Sequence, residues 1–159
     1  MQLKGRFTFE QVRNGVVIAR DKTPNMVITE GIAEVLDAAF GGVAASSPWY
    51  IGLIDNDPAP TLLTTDVLGG SGWTEIPYTT GYAETEREEW IDASTSGRIK
   101  STTTVATFNM LGTYGIYGMF LCNAATGTTG VIWSEGAYDA VKPVVSTDVI
   151  NATYEIEIA

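Results

Sequence analysis

Reactive chemistry in this chain would have to come from carboxylates. The segment Glu84-Thr85-Glu86-Arg87-Glu88-Glu89-Trp90-Ile91-Asp92 concentrates them beside a tryptophan. Two carboxylates suffice for glycoside hydrolysis, and an indole can stack on a sugar ring. Strand alternation would put Glu84, Glu86 and Glu88 on one side, which is the pattern of a solvated face. A wet face is the leading reading of the segment, with carbohydrate binding and carboxylate catalysis behind it. Asp55-Asn56-Asp57 resembles a piece of a calcium loop but lacks the downstream Gly and the bidentate Glu, so it reads as an Asx-rich turn. Gly69-Gly70-Ser71-Gly72 lacks the Lys and Ser/Thr of a phosphate loop and reads as a flexible turn.

Other chemistries are limited by what is missing. The 159 residues include no histidine and a single cysteine, Cys122. This removes Ser-His-Asp and Cys-His pairs and every histidine metal site. One thiol builds no zinc or iron–sulfur site and no internal disulfide. Cys122 closes the apolar run Ile116 to Cys122 and reads as a small buried hydrophobe. The expectation is a non-enzymatic chain with no catalytic residues, no cofactor and no metal.

The charge is uneven. The formal net charge is −10. Lys4, Arg6, Arg13, Arg20 and Lys22 face only Glu10 and Asp21 in the first 25 residues, while the rest of the chain is strongly acidic. An acidic body repels phosphate, so no nucleic-acid partner is expected. No apolar stretch reaches the length of a membrane span, so no membrane is expected either. Arg13 and Asn14 interrupt what would have to be the apolar core of a signal peptide.

These residues must be positioned by strands. Phe7 to Val12 and Val16 to Ala19 flank Asn14-Gly15, a pair suited to a type I′ hairpin turn. Thr29 to Phe40 carries Ile32, Val35, Leu36, Ala39 and Phe40 at helical spacing, with Thr29 as a cap and Gly41-Gly42 as a stop. That stripe is expected to lie against a sheet. Further strands are predicted at Pro48 to Ile54, Trp73 to Ile76, Arg98 to Met110, Tyr114 to Cys122 and Val131 to Trp133. Ile150, Ala152, Tyr154, Ile156 and Ile158 alternate with polar residues in the clearest strand of all. The connection from Asp55 to Gly72 is long, with a helical turn expected at Leu62 to Leu68. The fold class is mostly β: an antiparallel β-sandwich, jelly-roll-like, with one short α-helix and an N-terminal β-hairpin. The hairpin, residues 1–24, reads as a basic arm separate from a sandwich domain at 25–159. A lone hairpin is marginal, so it must pack on something. Arg6, Phe7, Phe9, Arg13, Arg20 and Lys22 are the candidate contact residues, with aromatic anchors and basic residues meeting an acidic neighbouring subunit. The many other aromatics divide between core packing, favoured for Trp49 and Trp133, and interface anchoring.

The order of certain segments carries a resemblance. Asn25 to Gly31 opens the helix, Trp49 to Asp55 reads WYIGLID, and Gly72 to Ile76 reads GWTEI. Arg87 and Trp90 follow, then Ala106 to Phe108, Ile116 to Leu121, Gly127 to Tyr138 and Val144 to Ile150. Over residues 25–158 this resembles a family of small tailed-bacteriophage virion proteins, some similar to capsid cement or decoration proteins of jelly-roll type. The resemblance implies a protein that coats the outside of a major capsid protein shell and stabilises it by many simultaneous contacts. It implies partners in the major capsid protein and in further copies of the chain, as dimer or trimer. It also implies a virion location, on the capsid exterior, after assembly in the host cytoplasm. A tail or adhesin component binding cell-surface carbohydrate is the alternative.

Overall fold

Alternating side chains, not helical stripes, organise the molecule. The computed structural model describes residues 2–70 and 72–159, so Ser71 of the Gly69–Gly72 turn lies outside the described residues. The strands are β1 (Leu3–Arg13), β2 (Val16–Pro24) and β3 (Met26–Val27), followed by helix α1 (Thr29–Phe40). Then come β4 (Tyr50–Asp55), β5 (Thr74–Glu75), β6 (Glu88–Glu89), β7 (Ile91–Asp92), β8 (Ile99–Thr104) and β9 (Ala106–Asn109). β10 (Tyr114–Cys122), β11 (Ile132–Val144) and β12 (Val149–Ile158) complete the chain. They form two antiparallel sheets of a β-sandwich. The first sheet runs β2-β1-β12-β8-β7, with β9 also on β12. The second runs β3-β11-β10-β4-β5, with β6 also on β4.

The main core lies between the sheets. Phe7, Phe9, Phe108, Ile150, Ala152 and Tyr154 enter it from the first sheet, and Ile51, Leu53, Met119, Leu121 and Trp133 from the second. Ile54, Phe120, Cys122 and Ile132 point to the opposite side of the second sheet, where Ile28, Leu68 and the partly buried Trp73 cover them. That sheet is therefore buried on both faces, which explains why Ile116 to Cys122 is continuously apolar rather than alternating.

The N-terminal hairpin belongs to this body. Its turn is as expected, with φ of 51° at Asn14 and 77° at Gly15. β1, however, pairs with β12 from Leu3↔Ile158 to Val12↔Val149, and Phe7 and Phe9 are buried in the main core. The division into an arm at 1–24 and a domain at 25–159 is thus corrected: one core spans it. The ladder with the last strand supplies what a free hairpin lacks, namely paired backbone groups and a covered apolar face.

Helix α1 spans Thr29–Phe40 as expected, yet its stripe does not meet the sheet. Ile32, Val35 and Leu36 are 41–49% exposed and Phe40 is 85% exposed. The helix touches the sheet through its start instead. Gly31 is its one buried residue, and a Cβ there would stand 2.7 Å from the Trp133 carbonyl. Ile28 occupies the N-cap position, its N–H donating to Trp133 O at 3.0 Å, while the Thr29 N–H donates to Thr64 O at 2.8 Å. Thr29 is therefore no side-chain cap. Beyond Asp55, residues 62–68 form turns and no helix. β11 runs far past the three strand residues expected at its start, through Pro143, whose carbonyl accepts from Gln11 Nε2 at 3.0 Å.

Two substitutions separate the faces. Phe7→Ala should cost about 3–5 kcal/mol, as for a buried aromatic, whereas Leu36→Ala on the open face should cost under about 1 kcal/mol. Urea unfolding of both variants checks the contrast, and equal losses would contradict the assignment of one to the core and the other to the surface.

Candidate functional site

The six residues of the expected contact patch are dispersed by the fold. Strand alternation sends Phe7 and Phe9 inward, where Phe7 meets the Tyr154 ring at 4.6 Å and Phe9 meets Tyr138 at 5.5 Å. Neither can anchor a partner. The outward residues find acids on their own chain. Arg6 pairs with Glu155 of β12 at 3.0 Å and Arg20 with Glu10 at 2.8 Å. Arg13 donates from Nε to Asp148 Oδ1 at 2.7 Å and from Nη2 to Oδ2 at 2.8 Å. Lys22 stays on the exposed side of β2, opposite Thr8. The acidic neighbour expected for this arm is in large part the molecule's own last strand and the turn before it.

Asp148 is fully buried and also accepts from Gln11 Nε2 at 2.7 Å and from the Val145 N–H at 2.9 Å. The hydrogen bond from Arg13 is the largest cause that holds its carboxyl down at about 2, against the opposing effect of burial.

The acidic segment does not make a single wet strand. Residues 84–87 lie outside any strand, and only Glu88–Glu89 joins the second sheet, on Tyr50 and Ile51. Glu84 accepts from Asn109, and Glu88 is half-buried, which raises its carboxyl. Trp90 is buried in the core with its Nε1 donating to Thr102 Oγ1 at 2.8 Å, so it offers no stacking platform. Arg87 is the centre of the segment. It is buried, donates from Nε and Nη2 to Glu75 at 2.7 Å each, and reaches Ala124 O and Gly127 O at 2.7 and 2.8 Å. This bidentate, charge-assisted contact, with the two carbonyls, ties the segment before β6 to β5 and to the loop between β10 and β11. Its signal in the sequence is the one base inside an acidic run. Cys122 is buried and burial pushes its thiol up to about 11, the state of an unreactive thiol.

What remains open is the apolar face of α1. Ile32, Val35, Leu36 and Phe40 continue into Val43, which is 56% exposed. Large adjoining apolar side chains on an otherwise polar surface mark contact sites. Glu30 and Glu34 turn to the other side of the helix, where Glu30 accepts from the Ile132 N–H and Glu34 from the Ser46 N–H at 3.0 Å, and the helix carries no base. Beside it, Val35, Trp49, Trp90, Leu121, Trp133 and Ile156 line a cavity of about 350 Å³, with the Asp92–Lys100 pair also on its wall. The periodic stripe is legible in the sequence; its outward direction is not. Among the described residues no helix is long and apolar enough to cross a membrane. No family model matches the chain, and no curated protein matches it either.

Two measurements test the polar anchors. The depressed Asp148 carboxyl stabilises the fold above its ordinary value of 3.8, and this contribution disappears as pH falls towards about 2. Asp148→Asn should therefore flatten the acid side of a melting-temperature profile between these limits, and an unchanged acid limb would show that other groups set it. Arg87→Met leaves the Glu75 carboxylate without its cation. It should cost about 3–5 kcal/mol in chemical denaturation, whereas a loss under about 1 kcal/mol would make the pair marginal.

Proposed function

We propose that this chain is a non-enzymatic structural subunit of a virus particle: a capsid decoration, or cement, protein bound to the outside of the major capsid protein shell. The observation that carries the reading is the uncovered face of α1, from Ile32 to Phe40 and on to Val43. A monomer in free solution gains nothing from displaying such a face, whereas a subunit of a larger assembly buries it. The order of motifs along residues 25–158 supplies the viral context through its resemblance to phage virion proteins. A sandwich with a continuous core and side chains tied down by buried ion pairs suits a mechanical role, because it presents one fixed surface without rearranging.

In this reading α1 replaces the basic hairpin as the contact surface. Its exposed side chains fit an apolar patch on the shell protein. Self-association as a dimer or trimer on the shell is compatible with the same assembly, using other surfaces. Each contact can be weak, since many copies held on one lattice give a stable layer. The particle exterior is the proposed location, after assembly in the host cytoplasm.

Co-sedimentation with empty capsid shells tests the proposal. The intact protein should bind in a fixed ratio to the shell subunits. Leu36→Glu with Phe40→Glu should weaken binding at least about tenfold, the effect of losing roughly 1.4 kcal/mol or more of contact energy. The melting temperature should barely change, since both positions are exposed. Failure of the intact protein to bind shells would refute the viral role, and unchanged binding by the double variant would refute the surface.

A further inference from the structure

The second sheet holds a carboxyl group where none is expected. Glu135 of β11 is 0% exposed and sits in the ladder between Phe120 and Met26. Its Oε1 accepts from Trp73 Nε1 at 3.0 Å. Its Oε2 is buried with no donor. A charged carboxylate left in that state is strongly disfavoured, so a proton on the group is the physical way out.

The geometry supplies a place for that proton. Asp66, itself buried, is the next influence after burial that raises the Glu135 carboxyl, through its charge and a side-chain hydrogen bond. Two ionised carboxylates have only acceptors, so a hydrogen bond between such groups requires a proton on one of them. Asp66 is held in position by its own turn: Oδ2 accepts from the Leu63 N–H at 2.9 Å, and its N–H donates to Leu63 O at 3.0 Å. The other charged group acting on Glu135 is Glu30 of α1, so every charge that faces it is negative. Trp73 packs on Phe120 with ring centres 4.8 Å apart. Asp66 and Trp73 both belong to the long connection between β4 and β5, and Glu135 is where that connection is fastened to the sheet.

We propose that Glu135 carries a proton shared with Asp66, and that this proton latches Leu62, Leu68 and Trp73 of the connection between β4 and β5 over the second apolar layer. Loss of the proton loosens the connection and uncovers Ile54, Leu68, Phe120 and Cys122. Burial first, and then Asp66, push the Glu135 carboxyl up to about 8 from an ordinary 4.5. The closed state thus binds more protons than the open one between these values. The latch is fully set below about 4.5, weakens by up to about tenfold per pH unit above it, and loses nothing further beyond about 8.

Cys122 reports on this directly, because it is the only thiol of the chain and lies in the covered layer. Its modification by 4,4′-dithiodipyridine would be followed in the full chain from pH 5 to 8. Each rate would be divided by that of the urea-unfolded chain at the same pH, which cancels thiol ionisation. The ratio should climb steeply with pH, towards about tenfold per unit. Glu135→Gln offers an amide donor to Asp66 at all pH values and should give a low, flat ratio. If that variant lacks native near-UV circular dichroism, Asp66→Asn serves instead. Its amide donates to the ionised Glu135 without a shared proton, and it too should flatten the profile. A pH-independent ratio in the native chain, or a native slope retained in the folded variant, overturns the latch.

Discussion

The pairing of β1 with β12 is the constraint on which the rest of the structure depends. Ten registered residue pairs, from Leu3↔Ile158 to Val12↔Val149, place the two ends of the described chain side by side in the middle of the first sheet. Strand alternation then leaves no choice of face. Phe7 and Phe9 must enter the core with Ala152 and Tyr154, and Arg6 must stand opposite Glu155. A slip by one residue would bring Lys4, Arg6 and Glu10 into the core, so the register is strongly specified. The same pairing brings Gln11 and Arg13 to Asp148 and satisfies that buried carboxylate from two directions. The charge asymmetry that makes the first 25 residues look like a docking arm is therefore largely resolved within the fold.

The second sheet is governed by a different demand, that of being covered on both sides. Its outer layer has no third sheet to rest on, and is closed by Ile28 at the start of α1 and by Leu62, Leu68 and Trp73 of the connection before β5. An irregularity in β11 makes this possible. Leu121 pairs with Ser134 and Cys122 with Ile132, so Trp133 is an extra residue in the ladder. Trp133 and Ser134 consequently both turn towards Tyr154, whose hydroxyl also receives Asn25 Nδ2 at 2.7 Å. The shift also sends Glu135 to the outer side, opposite Phe120. β-bulges re-aim side chains in this way, and here one bulge fixes both the polar centre of the main core and the buried acid of the second layer.

The sandwich was legible in the sequence because its signals are local. Asn14-Gly15 demands two positive φ angles, and the polar–apolar alternation of 149–158 has a period that only a strand satisfies. The identity of α1 was legible for the same reason. Its direction was not, since a stripe at 3.6-residue spacing states which side of a helix is apolar and nothing about what covers it. Gly31 decided that question: the helix approaches the sheet where it has no side chain, and its larger residues are carried away from the surface below. Glu135 is not legible because the expected strand, Val131 to Trp133, stops before it, whereas β11 continues to Val144. The acidic run at 84–92 misled in the opposite sense, its residues being spread over loops, an edge and a buried ion pair.

The uncovered helix face and the charge of the body act together. The net charge of −10 gives a long-range repulsion between free copies and keeps an apolar surface from driving aggregation. A partner of opposite charge that presents apolar side chains removes this penalty. Selectivity of this kind needs no enzyme-like pocket and no conformational change. It follows from leaving one apolar helix open on a body whose positive charges are mostly engaged by its own acids.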